Sequence, residues 1–229
     1  MRAVNNTNPA KEDSLAFGVI WDMDGVILDT GDFHYQAWVP ALAEVGLPFS
    51  RETFRKTFGM TNPDILALLL GDTPPIEFVS RVSDRKEQEF RRIIRGHARL
   101  LPGVIACLER NQLAGALQAV ASSAPQENID LLIDELDLHS YFMALLSAFN
   151  LPGKPDPAVF LEAARRIDLP PDRCIVIEDA IVGVEAARRA GMKCIAVTTT
   201  NPAAALSDAD VVVNRLDELP PDTFLKLLT

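Results

Sequence analysis

Phe17-Gly18-Val19-Ile20-Trp21-Asp22-Met23-Asp24-Gly25-Val26-Ile27-Leu28-Asp29-Thr30 is an apolar run that stops at a carboxylate and turns on a glycine. Phe17–Trp21 has the composition of a buried strand, and Gly25 permits a tight turn directly after it. Residues two apart on an extended chain point to the same side, so Asp22 and Asp24 can face one ligand. Two carboxylates buried together repel unless a cation or a shared proton relieves them. A divalent ion supplies that relief, and Mg2+ prefers oxygen ligands.

Five more short apolar runs follow: Leu117–Ala121, Ala144–Ser147, Cys174–Ile177, Cys194–Thr198 and Asp210–Val213. Between them lie helical patterns such as Val104–Leu113, Ile129–Leu136, Ala158–Ile167 and Val182–Ala190. Strands alternating with amphipathic helices predict an α/β fold, a doubly wound parallel sheet covered on both faces. The first strand breaks the rhythm. From Gly31 to about His97 the chain reads as four helices, Phe33–Val45, Arg51–Thr57, Pro63–Leu70 and Ile76–Ile94. An inserted all-helical cap domain at 31–98 is the expectation, with the core formed by 1–30 and 99–229 and a flexible tail at 1–14. Ligands in open parallel sheets bind beyond the carboxyl ends of the strands, where such a cap can close.

Further strand ends carry chemistry. Glu178-Asp179 ends the fourth strand, which in a doubly wound sheet can lie beside the first. Each acidic pair alone can equally cap the following helix; together they favour a metal site. Ala121-Ser122-Ser123-Ala124 offers hydroxyls and backbone N–H groups to phosphate oxygens at a helix start. Gly153-Lys154-Pro155-Asp156-Pro157 offers a point charge from a loop stiffened by two prolines. Singly, Ser122 reads as a helix cap and Lys154 as a solvated side chain. Their place at successive strand ends turns both toward a phosphate.

In this order and spacing the motifs resemble the haloacid dehalogenase superfamily, and within it the β-phosphoglucomutase-like branch with a helical cap. The resemblance rests on Asp22-Met23-Asp24-Gly25, Ser122, Lys154-Pro155, and Glu178-Asp179 followed by Gly183, and spans Phe17 to about Val213. It implies a Rossmann-like core, a Mg2+ cofactor and phosphoryl transfer through an aspartyl-phosphate. In it Asp22 attacks phosphorus, and Asp24 protonates the leaving oxygen and later activates water. Metal ligands would be Asp22, the Asp24 backbone carbonyl, Asp179, and Glu178 directly or through water. Ser122, Ser123 and Lys154 would hold the phosphoryl oxygens. Members that act on carbon–halogen or phosphonate bonds lack an Asp at the position of Asp24, so Asp24 points to phosphate esters.

The cap start resembles that of β-phosphoglucomutases. Thr30 and His34 match positions that place or gate Asp24, and Lys86 matches a cap lysine that reaches into the site. One departure concerns Asn62, in Gly59-Met60-Thr61-Asn62, which stands where mutases of this branch hold the substrate's second phosphate with an arginine. Without that contact hydrolysis is preferred. The expected function is a phosphatase acting on a small phosphorylated metabolite such as a sugar phosphate, with a sugar-phosphate mutase as the alternative. A non-catalytic or signalling phospho-acceptor domain fits less well, because such a domain has no inserted helical cap.

The formal net charge of -10, with 32 acidic against 22 basic residues, disfavours nucleic acid and anionic lipid as partners. No apolar run reaches membrane-spanning length, and the polar N-terminus lacks a signal-peptide pattern. Asn5-Asn6-Thr7 matches a glycosylation sequon but reads as chance. Cys107, Cys174 and Cys194 are odd in number and widely spaced, and read as buried thiols of a reducing cytoplasm. A cytoplasmic monomer is the expectation.

Overall fold

The computed structural model describes residues 16–229; the tail assigned to 1–14 and the sequon at Asn5 lie outside them. Six parallel strands form one sheet: β1 (Gly18–Trp21), β2 (Leu117–Ser122), β3 (Ala144–Ser147), β4 (Cys174–Glu178), β5 (Lys193–Val197) and β6 (Val211–Val213). Their spatial order is β3-β2-β1-β4-β5-β6. The chain therefore builds outward from β1 on one side, then returns to build outward on the other. The point of reversal opens a crevice at the carboxyl ends of β1 and β4. Register makes the crevice specific. Trp21 pairs with Ile177 across it, and the next amide, Asp22 N–H, donates to the Ile177 carbonyl at 3.0 Å.

Side-chain alternation divides the sheet between two cores. Val19, Trp21, Ile175 and Ile177 pack on one face, while Ile20, Cys174 and Val176 pack on the other. The helices α5 (Val104–Leu113) and α6 (Gln126–Glu135) contribute to the first core, α7 (Ala158–Arg166) and α8 (Ile181–Arg189) to the second. A short α9 (Thr223–Leu227) closes the described chain. Apolar periodicity located these helices but placed the starts of α6 and α8 late, because their first turns bury little.

Between β1 and α5 lie four helices, α1 (Gly31–Ala43), α2 (Arg51–Thr57), α3 (Asn62–Leu70) and α4 (Ile76–Ile94). Capping sets the bounds of two. Ser50 Oγ accepts from the Thr53 amide at 3.0 Å to start α2, and Gly71, at φ 74°, ends α3. Trp38, Leu42, Ile65, Leu66 and Val82 give this block its own core. Ala37, Phe90 and Ile94 instead join the first core of the sheet. The two connecting segments run side by side, with Leu28 bridged to Leu100 and the Leu101 amide donating to the Ile27 carbonyl at 3.0 Å. Among the described residues no helix is long and apolar enough to cross a membrane.

β1 is anchored by a buried polar pair. The Trp21 indole N–H donates to Gln118 Oε1 at 3.0 Å, and Gln118 Nε2 donates to the Leu108 carbonyl at 3.1 Å. Gln118→Leu orphans the buried indole N–H, so stability should fall by about 1–3 kcal/mol. A urea unfolding midpoint equal to wild type would contradict that assignment.

Candidate active site

Asp22 follows β1 directly, and Glu178 ends the neighbouring β4, so parallel pairing alone sets them side by side. Asp179 comes next, and ligand oxygens of all three buried carboxylates lie within 4.8 Å of one another. Lys154 reaches into this cluster from the loop after β3, with only 3% of its surface exposed. Its ammonium donates to Asp22 Oδ1 and, at 2.7 Å, to Glu178 Oε1. Lys154 is thus a buried cation and not a solvated side chain.

Close packing holds the carboxylates in place. Glu178 Oε2 accepts the amides of Asp179 and Ala180, each at 2.7 Å. A Cβ at Gly183 would collide with the Glu178 carboxyl, and one at Gly25 with that of Asp179. Gly25 also adopts φ 86°, a conformation that side chains resist. Glu178 Oε2 is thus taken up by backbone amides, while Oε1 faces Lys154 and the other two carboxylates.

Three carboxylates and one ammonium leave two negative charges uncompensated, the charge of a divalent cation. The donor set is all oxygen, as Mg2+ prefers, and the residues fit such an ion. Asp22 and Asp179 would hold it, and it would neutralise the phosphate being attacked. Without it, burial pushes the Asp22 carboxyl up to about 8, against the pull of Lys154 and helped by Glu178 and Asp24. Burial and Glu178 likewise raise Asp179 well above the usual range.

The Asp24 side chain turns to the helical block. Its Oδ1 accepts from Thr30 Oγ1 at 2.5 Å and lies 3.0 Å from His34 Nε2. Burial pushes this carboxyl up, but the His34 charge and bonds from His34 and Thr30 outweigh it, leaving it at about 2. His34 stacks on Phe90 at 4.1 Å, and its Nδ1 faces the Lys86 ammonium at 2.9 Å. Lys86 also donates to Glu87 Oε1 at 2.8 Å, and Asn62 Nδ2 to the same oxygen at 2.7 Å. All the cap positions expected from sequence, Thr30, His34, Asn62 and Lys86, therefore meet in one chain of contacts leading to Asp24.

Ser122 and Ser123 line the cleft between core and helical block, opposite Asn62 and Lys86. Ser122 Oγ accepts from the Ala124 amide at 3.1 Å, a turn contact ahead of α6 and not a helix cap. Ser123 Oγ donates to the Gly59 carbonyl at 3.0 Å, tying the core to the loop before α3. Two contributors escaped the sequence reading: Thr200 Oγ1 donates to Asp179 Oδ2, and Asn201 Nδ2 to the Asp179 carbonyl at 3.0 Å. The polar run Thr198-Thr199-Thr200-Asn201 at the end of β5, beside β4, was the available signal.

Known proteins share this arrangement of chain. The family model described as haloacid dehalogenase-like hydrolase matches residues 18–191. The chain is 32% identical over 209 residues to the chloroplastic 5-amino-6-(5-phospho-D-ribitylamino)uracil phosphatase of Arabidopsis thaliana, covering 88% of this chain and 55% of that protein. It therefore spans about half the length of that relative. It is 30% identical over 197 residues to a phosphorylated carbohydrates phosphatase of Thermotoga maritima, covering 85% of this chain and 91% of that protein. A crystal structure of β-phosphoglucomutase from Clostridium difficile has the same fold, with TM-score 0.83 at 24% identity over 93% of this chain and 97% of that one.

Two outcomes test the geometry. Gly183→Ala displaces Glu178 and should weaken Mg2+ binding by about 10–100-fold, read by calorimetry. The second concerns pH. Asp22 and Asp179 are raised in the folded state, so the metal-free protein keeps protons that the unfolded chain loses above pH 4. Its stability falls as pH rises from there toward 8, and Mg2+ replaces those protons. The melting temperature should gain more from Mg2+ at pH 8 than at pH 6; an equal gain would refute the shared site.

Proposed function

We propose that this chain, which belongs to the haloacid dehalogenase-like hydrolases, is a Mg2+-dependent phosphatase of small phosphorylated metabolites such as sugar phosphates. The observation that carries the reading is the Lys154 ammonium held between Asp22 and Glu178, with Asp24 handed to the helical block two residues later. Residues 31–98 act as a cap over a core of 16–30 and 99–229. The phosphatase relatives support the reaction class.

Asp22 attacks phosphorus, forming an acyl-phosphate as the bond to the ester oxygen breaks. Mg2+, when bound, supplies neutralising charge to the phosphoryl group and holds Asp22 ionised. Lys154 stabilises charge on the phosphoryl oxygens, with Ser122 beside it at the cleft wall. Asp24 gives a proton to the leaving oxygen, then takes one from the water that attacks the acyl-phosphate. With its carboxyl held at about 2 by His34 and Thr30, Asp24 is suited to the second half. A phosphate dianion arriving beside it raises its proton affinity, which suits the first.

Hydrolysis is favoured over mutation because the cap side of the cleft holds no unengaged cation. Lys86 and His34 are the basic side chains among the described residues lining it; Lys86 is shared between His34 and Glu87, and His34 is bonded to Asp24. A mutase must grip a bisphosphate at both ends. The test is turnover of p-nitrophenyl phosphate and a sugar-phosphate panel with and without Mg2+, beside a coupled isomerisation assay of β-glucose 1-phosphate primed with the bisphosphate. Expected is multiple Mg2+-dependent turnover, lost by roughly 10³-fold or more in Asp22→Asn. Efficient isomerisation would overturn the choice of hydrolysis.

A further inference from the structure

Glu87 is a buried carboxylate that no step of phosphoryl transfer uses. It is 4% exposed and lines the cleft over Asp22. It also lines an adjoining cleft along α4, together with Ser83, Arg91 and Gln126. Its Oε1 accepts from Lys86 and Asn62, and its Oε2 from Asn128 Nδ2 at 2.7 Å. Asn128 belongs to α6 of the core, and Arg91 donates to its Oδ1 at 2.8 Å. The carboxylate thus joins the helical block to the core at the wall of the cleft. Lys86 and its neighbours hold it ionised against burial.

We infer that Glu87 selects the substrate's leaving group: it admits a neutral, polyhydroxylated one and turns away one carrying a second phosphate. The inference rests on the phosphatase reading. A second phosphate beside Glu87 meets a carboxylate whose nearest cation, Lys86, is already paired with it, while the Arg91 guanidinium is turned to the Asn128 amide. Juxtaposed like charges discriminate against the wrong partner. A hydroxyl fares differently. Glu87 Oε2 has one partner and keeps a lone pair free for an O–H donor. Ser83 supplies an independent sign. It is 2% exposed, and its Oγ has no hydrogen-bond partner in the protein. It stands one turn before Glu87, on the same face of α4. A buried hydroxyl without a partner beside a carboxylate with spare capacity is a site for hydroxyl groups.

The test is competition against p-nitrophenyl phosphate hydrolysis by a matched pair, sorbitol 6-phosphate and sorbitol 1,6-bisphosphate, with Mg2+ in excess. The wild-type inhibition constant should favour the monophosphate by about tenfold or more. Glu87→Gln, whatever it does to the absolute rate, should bring the two within about threefold, by removing one charge. A purely structural role for Glu87 would alter kcat and leave the ratio of inhibition constants unmoved. Ser83→Ala should weaken the monophosphate about threefold to tenfold more than it weakens inorganic phosphate. Equal wild-type constants, inhibition by neither compound, or an unchanged ratio in Glu87→Gln would overturn the inference. If Glu87→Gln does not unfold cooperatively, the wild-type ratio and Ser83→Ala decide alone. Absence of p-nitrophenyl phosphate turnover takes down the phosphatase reading and this one together, whereas turnover with equal constants takes down this one only.

Discussion

Lys154 sits buried with three carboxylates, and the charge left over sets the terms for everything around it. Buried ions repel or attract strongly, and an uncompensated one is costly. Asp22 and Asp179 answer by holding protons, as the upward shift of both shows. A divalent cation would answer better, because it would leave both groups ionised, as the proposed attack by Asp22 requires. The glycines at 25 and 183 are part of the same requirement. Each leaves room for a carboxyl group that any side chain would push aside.

The core alone does not complete the site. Asp24 is two residues from Asp22, yet its carboxylate is held by Thr30, at the crossing into the helical block, and by His34 of that block. His34 is in turn fixed by its stack on Phe90 and by Lys86. Proton control is thus lodged in an element that packs on the sheet only partly and has a core of its own. In the proposed mechanism, opening the helical block would part Asp24 from His34, so the group that handles protons would be set when the site closes.

Some expectations survive in altered form. Asp22 and Asp24 are shifted in opposite directions, in the order opposite to the proposed roles. In the proposed mechanism a bound metal and phosphate, both charged, would reverse that order. Glu178 stands beside Asp22 as expected, with its oxygens turned to Lys154 and to two backbone amides. Ser123 was grouped with the phosphate cradle and instead bonds the loop before α3. None of these differences is visible in spacing, because each depends on where a side chain finds its partner.

The apolar runs and their alternation with helices settled the sheet, since periodicity and burial are local properties of the chain. The acidic strand ends were equally legible. A strand that stops at a carboxylate beside a glycine says where charge is placed before any fold is known. The partners of that charge belong to tertiary structure. Thr200 meets Asp179 because β5 lies next to β4, and Glu87 meets Asn128 because α4 packs across α6. Hydrogen bonds across 21 or 41 residues leave no periodic trace in a sequence, and only the folded geometry brings such groups within reach.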